Sequence, residues 1–233
     1  MSIDSQLSLA DLAVQDPRRT KVFATFGLDY CCNGNNTLAA AVANANLDLE
    51  VVRAALIFPT PAPEVTDAAR NQSALAHDIV DTHHAFMWEE MPRLAKLVAL
   101  VDRVHSDSHP ELAEVHEVYT AAIAALKPHM TTEERVIFPA ISRMEKTQAP
   151  ALSGSFAAPI AQLRDEHTVV GELFGRLRAL TNGYAIPDDA CTSYQLMLEG
   201  LEHMELDLHE HIHKENNILF PRVLELEKHF TRG

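Results

Sequence analysis

Apolar residues recur every three or four positions over most of this chain, the spacing that lines one face of an α-helix. Between residues 71 and 233 four stretches carry the pattern. The first runs through Ile79, Met87, Met91, Leu94, Val98 and Val101, and the second through Leu112, Val115, Tyr119, Ile123 and Leu126. Ile160, Leu163, Val170, Phe174, Leu177 and Leu180 form the third. In the fourth, Met197, Leu201, Met204, Leu208, His211, Glu215 and Ile218 alternate steps of four and three, a heptad seam that faces a core. Turn-forming residues separate the stretches at 106–110, 147–155 and 182–187. Long helices joined by short loops predict an up-down-up-down antiparallel four-helix bundle, and no period-two alternation competes with it.

Before residue 58 the pattern breaks into shorter pieces. Ser8 to Asp11 reads as a capping box, Asp16-Pro17 as an N-cap with a first-turn proline, and Gly27 as a helix end. An alanine-rich stretch runs from Thr37 to Asn46, and Asp48 can cap a further helix from Leu49 to Leu56. Leu12, Val22, Phe23, Phe26, Leu38, Val42, Val51 and Leu56 are the candidates for a small core. Pro59, Pro61 and Pro63 then forbid a helix and favour a stiff, extended spacer. The predicted organisation is all-α: a small helical domain at 1–57 containing a Cys-Cys pair, a proline-rich linker at 58–70, and the bundle at 71–233.

Composition narrows the function classes. Hydrophobic residues at 47% and charged residues at 22% describe an ordinary globular protein, and a formal charge of −14 argues against nucleic acid or an anionic membrane as partner. No apolar run approaches the ~20 residues of a membrane span. The first residues lack the basic and apolar regions of a signal peptide, and three cysteines make no disulfide framework, so the cytoplasm is the expected location. Thirteen histidines are the anomaly, and all of them follow residue 76.

Two of those histidines open a phrase that occurs twice. His129 precedes Glu133 and Phe138-Pro139; His211 precedes Glu215 and Phe220-Pro221, at the same offsets. Residues four apart share a helix face, so each copy aims an imidazole and a carboxylate at one point. In an antiparallel bundle two residues lie level when the turn falls midway between them. The midpoints of His84 and His129 (106.5), of His129 and His167 (148), and of His167 and His211 (189) all fall at or beside turns. One histidine from each helix therefore shares a layer with Glu133 and Glu215. His105 follows His84 by 21 residues on the same helix, which places it roughly 30 Å away. His109 and His116 lie at that far end too, while His203, His209 and His213 flank the seam of the fourth helix and are expected to face solvent. Four imidazoles and two carboxylates buried together without a cation would carry a large desolvation cost. The mixed N/O set suits two borderline metals, iron before manganese or zinc, with the carboxylates as bridges and room for an oxo or hydroxo bridge.

The chain resembles the hemerythrin-like di-iron proteins of iron–sulfur cluster repair (RIC). The likeness rests on Leu9-Ala-Asp-Leu-Ala13, Asp29-Tyr-Cys-Cys-Asn-Gly34, Val104-His105, both His-x-x-x-Glu phrases, Asp165-Glu-His167, Asn216-Asn217 and Phe220-Pro-Arg222. It implies a hemerythrin-like bundle with two non-haem irons held by His84, His129, His167 and His211 and bridged by Glu133 and Glu215. It also implies restoration of iron–sulfur clusters after oxidative or nitrosative damage, with damaged iron–sulfur proteins or an assembly scaffold as partners. Donation of iron is the expected route; reduction of NO to nitrous oxide, or O₂/NO binding as a sensor or carrier, are the competing uses of such a centre. Cys31 and Cys32 are read either as small residues packed at a helix end or as an exposed thiol pair that handles iron, NO or a cluster intermediate. Cys191 is read as structural, and a homodimer is an option the sequence leaves open. Two departures from the family pattern stand out: Asn33 takes a position often held by glycine, and Pro128, next to a candidate ligand, predicts an irregular second helix.

Overall fold

The computed structural model describes residues 3–60, 70–152 and 154–231, so most of the expected linker (61–69) lies outside the described residues. Among them the ordered elements are helical. Four short helices come first: α1 (Leu9–Gln15), α2 (Arg19–Thr25), α3 (Leu38–Asn44) and α4 (Leu49–Ala55). The Ser8 and Asp48 caps act as the sequence predicts, their side chains accepting from the backbone N–H groups of Asp11 and of Glu50 and Val51, and Thr37 caps α3 by accepting from the N–H of Ala40. The expected cap at Asp16 is shifted: α2 starts at Arg19, and the Asp16 carboxylate accepts from the N–H of Arg18. Leu9, Leu12, Phe23, Leu28, Tyr30, Leu38, Val42, Val52 and Leu56 form this unit's core. Val51, expected inside, is 56% exposed; helix α4 turns Val52 inward instead.

The bundle follows. Its first long helix comprises α5 (Gln72–Ile79), a π-helical turn (Val80–His84) and α6 (Ala85–His105). The second comprises α7 (Glu111–Thr132), a π-turn (Glu133–Ile137) and α8 (Phe138–Thr147); the third is α9 (Ala157–Leu180). The fourth comprises α10 (Thr192–His213), a π-turn (Lys214–Leu219) and α11 (Phe220–Thr231). Each long helix packs on its neighbours in sequence and the fourth closes on the first, giving the up-down-up-down arrangement. The apolar stripes named from sequence are buried, except that Leu180 is only partly so. No helix among the described residues is long and apolar enough to cross a membrane.

The predicted irregularity of the second helix sits five residues later than expected. Helix α7 runs through Pro128 to Thr132 and widens only at Glu133. A lone proline removes one intrahelical hydrogen bond, which a helix packed on both sides absorbs. The π-turns instead mark the site level: His84 ends the first, Glu133 begins the second, and Glu215 lies in the third. Such turns re-aim side chains at functional sites. Each Phe-Pro of the doubled phrase begins the α-helix that resumes after a π-turn, where a missing proline N–H is best tolerated.

His209 and His213 do not face solvent, contrary to the sequence expectation, whereas His203 does. Both pack against Tyr30 of the N-terminal unit, with ring centroids 6.2 and 5.4 Å away. The unit covers this face of α10, and Asn217 Nδ2 donates to the carbonyls of Tyr30 and Cys31 at 3.2 Å each. Burial pushes both imidazoles down to about 4. Undocked, they titrate near the ordinary ~6.5. The docked form is therefore fully favoured above about pH 6.5 and loses stability as pH falls towards 4, because only the undocked form takes up protons there. Hydrogen exchange of residues 3–57 should accelerate across that window, by at most about tenfold per pH unit and histidine. A His213→Asn variant should show a shallower dependence; an unchanged one removes His213 as a source.

Candidate metal centre

All six residues singled out for the layer come together inside the bundle, and none is more than 3% exposed. The ring nitrogens Nε2 of His84 and His211 lie 3.0 Å apart, as do those of His129 and His167. Glu133 Oε2 sits 3.4 Å from His84 Nε2 and 3.3 Å from His129 Nε2. Glu215 spans both pairs: Oε1 is 3.0 Å from His211 Nε2 and Oε2 is 3.0 Å from His167 Nε2. Two overlapping groups result, His84–His211 and His129–His167, each with both carboxylates and with all donor atoms within 4.8 Å of one another. The repeat in sequence joins His84 to His129 and His167 to His211; the groups in space cut across it.

The outer nitrogens show which way the rings are protonated. His84 Nδ1 meets Glu134 Oε1 at 3.0 Å and His129 Nδ1 meets Glu166 Oε2 at 2.8 Å. Ionised carboxylates only accept, so each Nδ1 carries the proton and each Nε2 turns a lone pair to the centre. Trp88 Nε1 also donates to Glu134, at 2.8 Å, which holds that carboxylate in place. Both oxygens of Glu133 are buried without a hydrogen-bond donor among the described residues. Carboxylate oxygens and imidazole lone pairs converging in an apolar interior are costly unless a cation satisfies them. The donor set fits a pair of borderline metal ions, iron included.

Electrostatics agree with the geometry. Burial lowers the affinity of His84 and His167 for protons, yet Glu133 and Glu215 outweigh it, raising His84 and bringing His167 up to about 9. Burial dominates at His211, which is lowered. Burial raises the Glu215 carboxyl, but the charges and hydrogen bonds of His211 and His167 overcome this and hold it well below the usual carboxylate range.

Several supporting residues escaped the sequence reading. Glu134 and Glu166 adjoin Glu133 and His167; one step along a helix turns about 100°, which aims them at a ring on the next helix rather than at the centre. The Phe of each doubled phrase lies along an imidazole from another helix: Phe138 on His84 (5.8 Å) and Phe220 on His167 (6.1 Å, planes within 6°). His83, one position before His84, is buried, stacks on His211 at 5.7 Å and meets Asp207 Oδ1 at 2.9 Å. His105 ends α6, at the far end of the helix from His84 as expected, and its Nε2 faces Cys191 Sγ at 3.2 Å. Cys191 is exposed at the start of α10 and its side chain makes no capping bond.

The cysteine pair lies against the bundle, not out in solvent. Asp29 Oδ1 accepts from the N–H groups of Cys31 (3.2 Å) and Cys32 (2.9 Å), and Oδ2 accepts from Asn33 Nδ2 at 2.7 Å. Asn33 thus closes the turn with its side chain. Gly34 is required next to it, since a Cβ there would come within 2.6 Å of the Tyr30 carbonyl oxygen. The expectation of an exposed pair fails at Cys31, which is buried; both thiols are free, with Sγ atoms 3.9 Å apart. The hydrogen bond to Cys32, together with burial, holds the Cys31 thiol well above its ordinary value. The same bond lowers Cys32 against the effect of burial, and Cys32 lines a cavity of about 210 Å³ together with Asp29, Arg178 and His209.

Residues 75–223 match the hemerythrin HHE cation binding domain, and residues 5–57 match ScdA_N, a domain of unknown function (DUF542). The chain is 35% identical over 218 residues to the iron-sulfur cluster repair protein YtfE of Escherichia coli O157:H7, covering 93% of this chain and 96% of that one. The protein of the same name from Shigella boydii serotype 4 is 34% identical over the same shares. With a buried layer of histidines and glutamates in a helical bundle and this match across it, the chain belongs to the hemerythrin HHE cation-binding family.

Proposed function

We propose that the chain is a di-iron protein that repairs iron–sulfur clusters damaged by oxidative or nitrosative stress, and that it does so by donating iron. The observation that carries this reading is the buried layer in which four Nε2 atoms and two carboxylates converge on two adjoining points. His84 and His211 would hold one ion and His129 and His167 the other, with Glu133 and Glu215 shared. Iron there supplies Lewis acidity and one-electron redox capacity, and in donation it is itself the cargo. The residues are suited to letting it go: carboxylates raise the proton affinity of His84 and His167, so protons can replace departing positive charge. Cys32, with its lowered thiol, is the member of the pair better suited to receive iron or a cluster intermediate. The working partners are damaged iron–sulfur proteins or an assembly scaffold in the cytoplasm. The organisation is a Cys-Cys domain at 1–57 linked through 58–70 to the bundle at 71–233.

The test is reactivation. Iron-loaded protein mixed with an enzyme whose iron–sulfur cluster has been damaged should restore its activity, while Cys31→Ser/Cys32→Ser protein of equal iron content should restore less. No recovery at confirmed iron loading removes the donor reading. One observation favours the NO-based alternative: a surface cavity of about 470 Å³, lined by Pro128, Thr132, Glu166 and Val169, reaches His129. Reduced protein under NO would then release nitrous oxide over many equivalents, and absence of the gas excludes turnover.

A further inference from the structure

Asn216 follows Glu215 in the π-turn of the fourth helix and is 8% exposed. Its Oδ1 lies 3.0 Å from Nδ1 of His167, and its Nδ2 lies 3.3 Å from the carbonyl oxygen of Cys31. One side-chain amide therefore touches both a ring of the metal layer and the backbone of the cysteine loop. We propose that Asn216 is a positioning residue through which the seating of the Cys31–Cys32 loop sets the tautomer and orientation of His167; the proposal rests on reading the six-residue layer as the metal centre.

The polarity of the chain of contacts leaves one solution. A backbone carbonyl can only accept, so the amide nitrogen of Asn216 must face Cys31. Its oxygen then faces His167 and, being an acceptor, requires the proton on Nδ1. His167 Nε2, directed at Glu215 Oε2 3.0 Å away, is then the nitrogen that can exchange its proton for a cation. The loop carbonyl thereby decides which nitrogen of a distant imidazole can bind a cation.

His167 differs in this from the other three rings. His84 and His129 are held by the carboxylates of Glu134 and Glu166, which accept from Nδ1 whatever the loop does. His211 Nδ1 has no hydrogen-bond partner among the described residues. Only an amide presents a donor at one end and an acceptor at the other, and so can be reversed. Displacing the loop removes the acceptor at Cys31 and frees the amide to turn over. Its nitrogen then meets Nδ1, the proton moves to Nε2, and that nitrogen can no longer hold a metal. The neighbouring contacts restrain the loop in the seated position: Asn217 Nδ2 donates to the Tyr30 and Cys31 carbonyls, and Arg164 donates to the Asn216 carbonyl at 2.9 Å. Chemistry at the thiols is thus mechanically linked to retention of iron by one ligand.

A double-mutant cycle in the full chain tests the link. Gly34→Ala displaces the loop from outside the layer, since its Cβ would come 2.6 Å from the Tyr30 oxygen and 3.0 Å from Asn217 Oδ1. Asn216→Asp keeps an acceptor for His167 Nδ1 but removes the donor to Cys31. Two quantities are read: the rate of iron loss to a chelator, and the His167 tautomer from imidazole ¹⁵N shifts in metal-free protein above about pH 9, where the ring is no longer doubly protonated. In the native background Gly34→Ala should speed iron loss about tenfold, at the low end of the effect of losing such a support, and shift His167 towards the Nε2-protonated form. In the Asn216→Asp background it should change neither. Equal effects in both backgrounds, or an unmoved tautomer with the loop displaced, overturn the proposal. If Gly34→Ala does not fold, Asp29→Ala displaces the loop by removing the acceptor for the Cys31 and Cys32 N–H groups. A native chain that retains no iron would count against the metal reading, while the tautomer measurement would still decide the coupling.

Discussion

Glu215→Ala is expected to empty the centre, lowering iron from about two ions per chain to near zero. Its two oxygens contact rings of both groups, at 3.0 Å from His211 and 3.0 Å from His167, so one substitution removes a donor from each position. Loss of an outer support costs roughly 10–100-fold in affinity, and loss of a direct shared donor should exceed that. Glu133→Ala should act alike, and elemental analysis with spectroscopy of the purified variants measures both. Retention of two coupled irons by either variant would refute its role. The sign reverses in metal-free protein. There the carboxylates are buried charges balanced only by protonated rings, and an apolar residue of similar size removes the cost. His167 stands at about 9 because of Glu215, so without Glu215 it can shed its proton and leave no stranded charge. Glu215→Leu should stabilise the metal-free chain by about 1–4 kcal/mol, raising Tm by at least a few degrees, while iron no longer stabilises it. A fall in metal-free Tm would contradict this account.

Phe220→Ala should be the most damaging apolar truncation near the site. The ring is fully buried in the cluster on the far side of the layer, among Leu163, Leu219 and Val223, and lies along His167. Removing a buried phenyl costs about 3–5 kcal/mol, which for a chain of this size lowers Tm by roughly 10 °C. Iron loss should also quicken, because His167 loses the surface that restrains its rotation. Phe220→Leu should recover most of the stability but less of the iron retention. Val136→Ala, at a position 50% exposed within the neighbouring π-turn, should stay within about 0.5 kcal/mol of the native chain. Thermal unfolding with and without iron separates these outcomes.

The bundle was legible because a helix writes its buried face into the sequence as a period, and the seam of α10 and its π-turn, from Met197 to Ile218, is buried where that period says. The layer was legible because short loops turn height into arithmetic. Reasoning of this kind failed where the partner came from elsewhere in the chain. His209 and His213 flank the seam, and from the helix alone they belong to solvent. His213 is buried and His209 partly buried because the N-terminal unit lies over them, a contact separated by some 180 residues that no local period encodes. Val51 and Val52 show the same limit on a smaller scale, since one step of register decided which faced the core and a seven-residue helix carries too few positions to fix it.

The sequence by itself determined the helices, their order, the level at which His84, His129, His167 and His211 meet, and the doubled phrase that supplies Glu133 and Glu215. These follow from spacing along one dimension, and helix geometry translates spacing into height and face. The tertiary structure alone decided which rings pair across the bundle, where the π-turns aim them, and which acceptors hold their outer nitrogens. It also decided that Asn216 joins the cysteine loop to His167. Those outcomes depend on distances of about 3 Å between side chains on different elements, and hydrogen-bond strength falls away within a fraction of an ångström beyond that, a precision that periodicity in sequence does not carry.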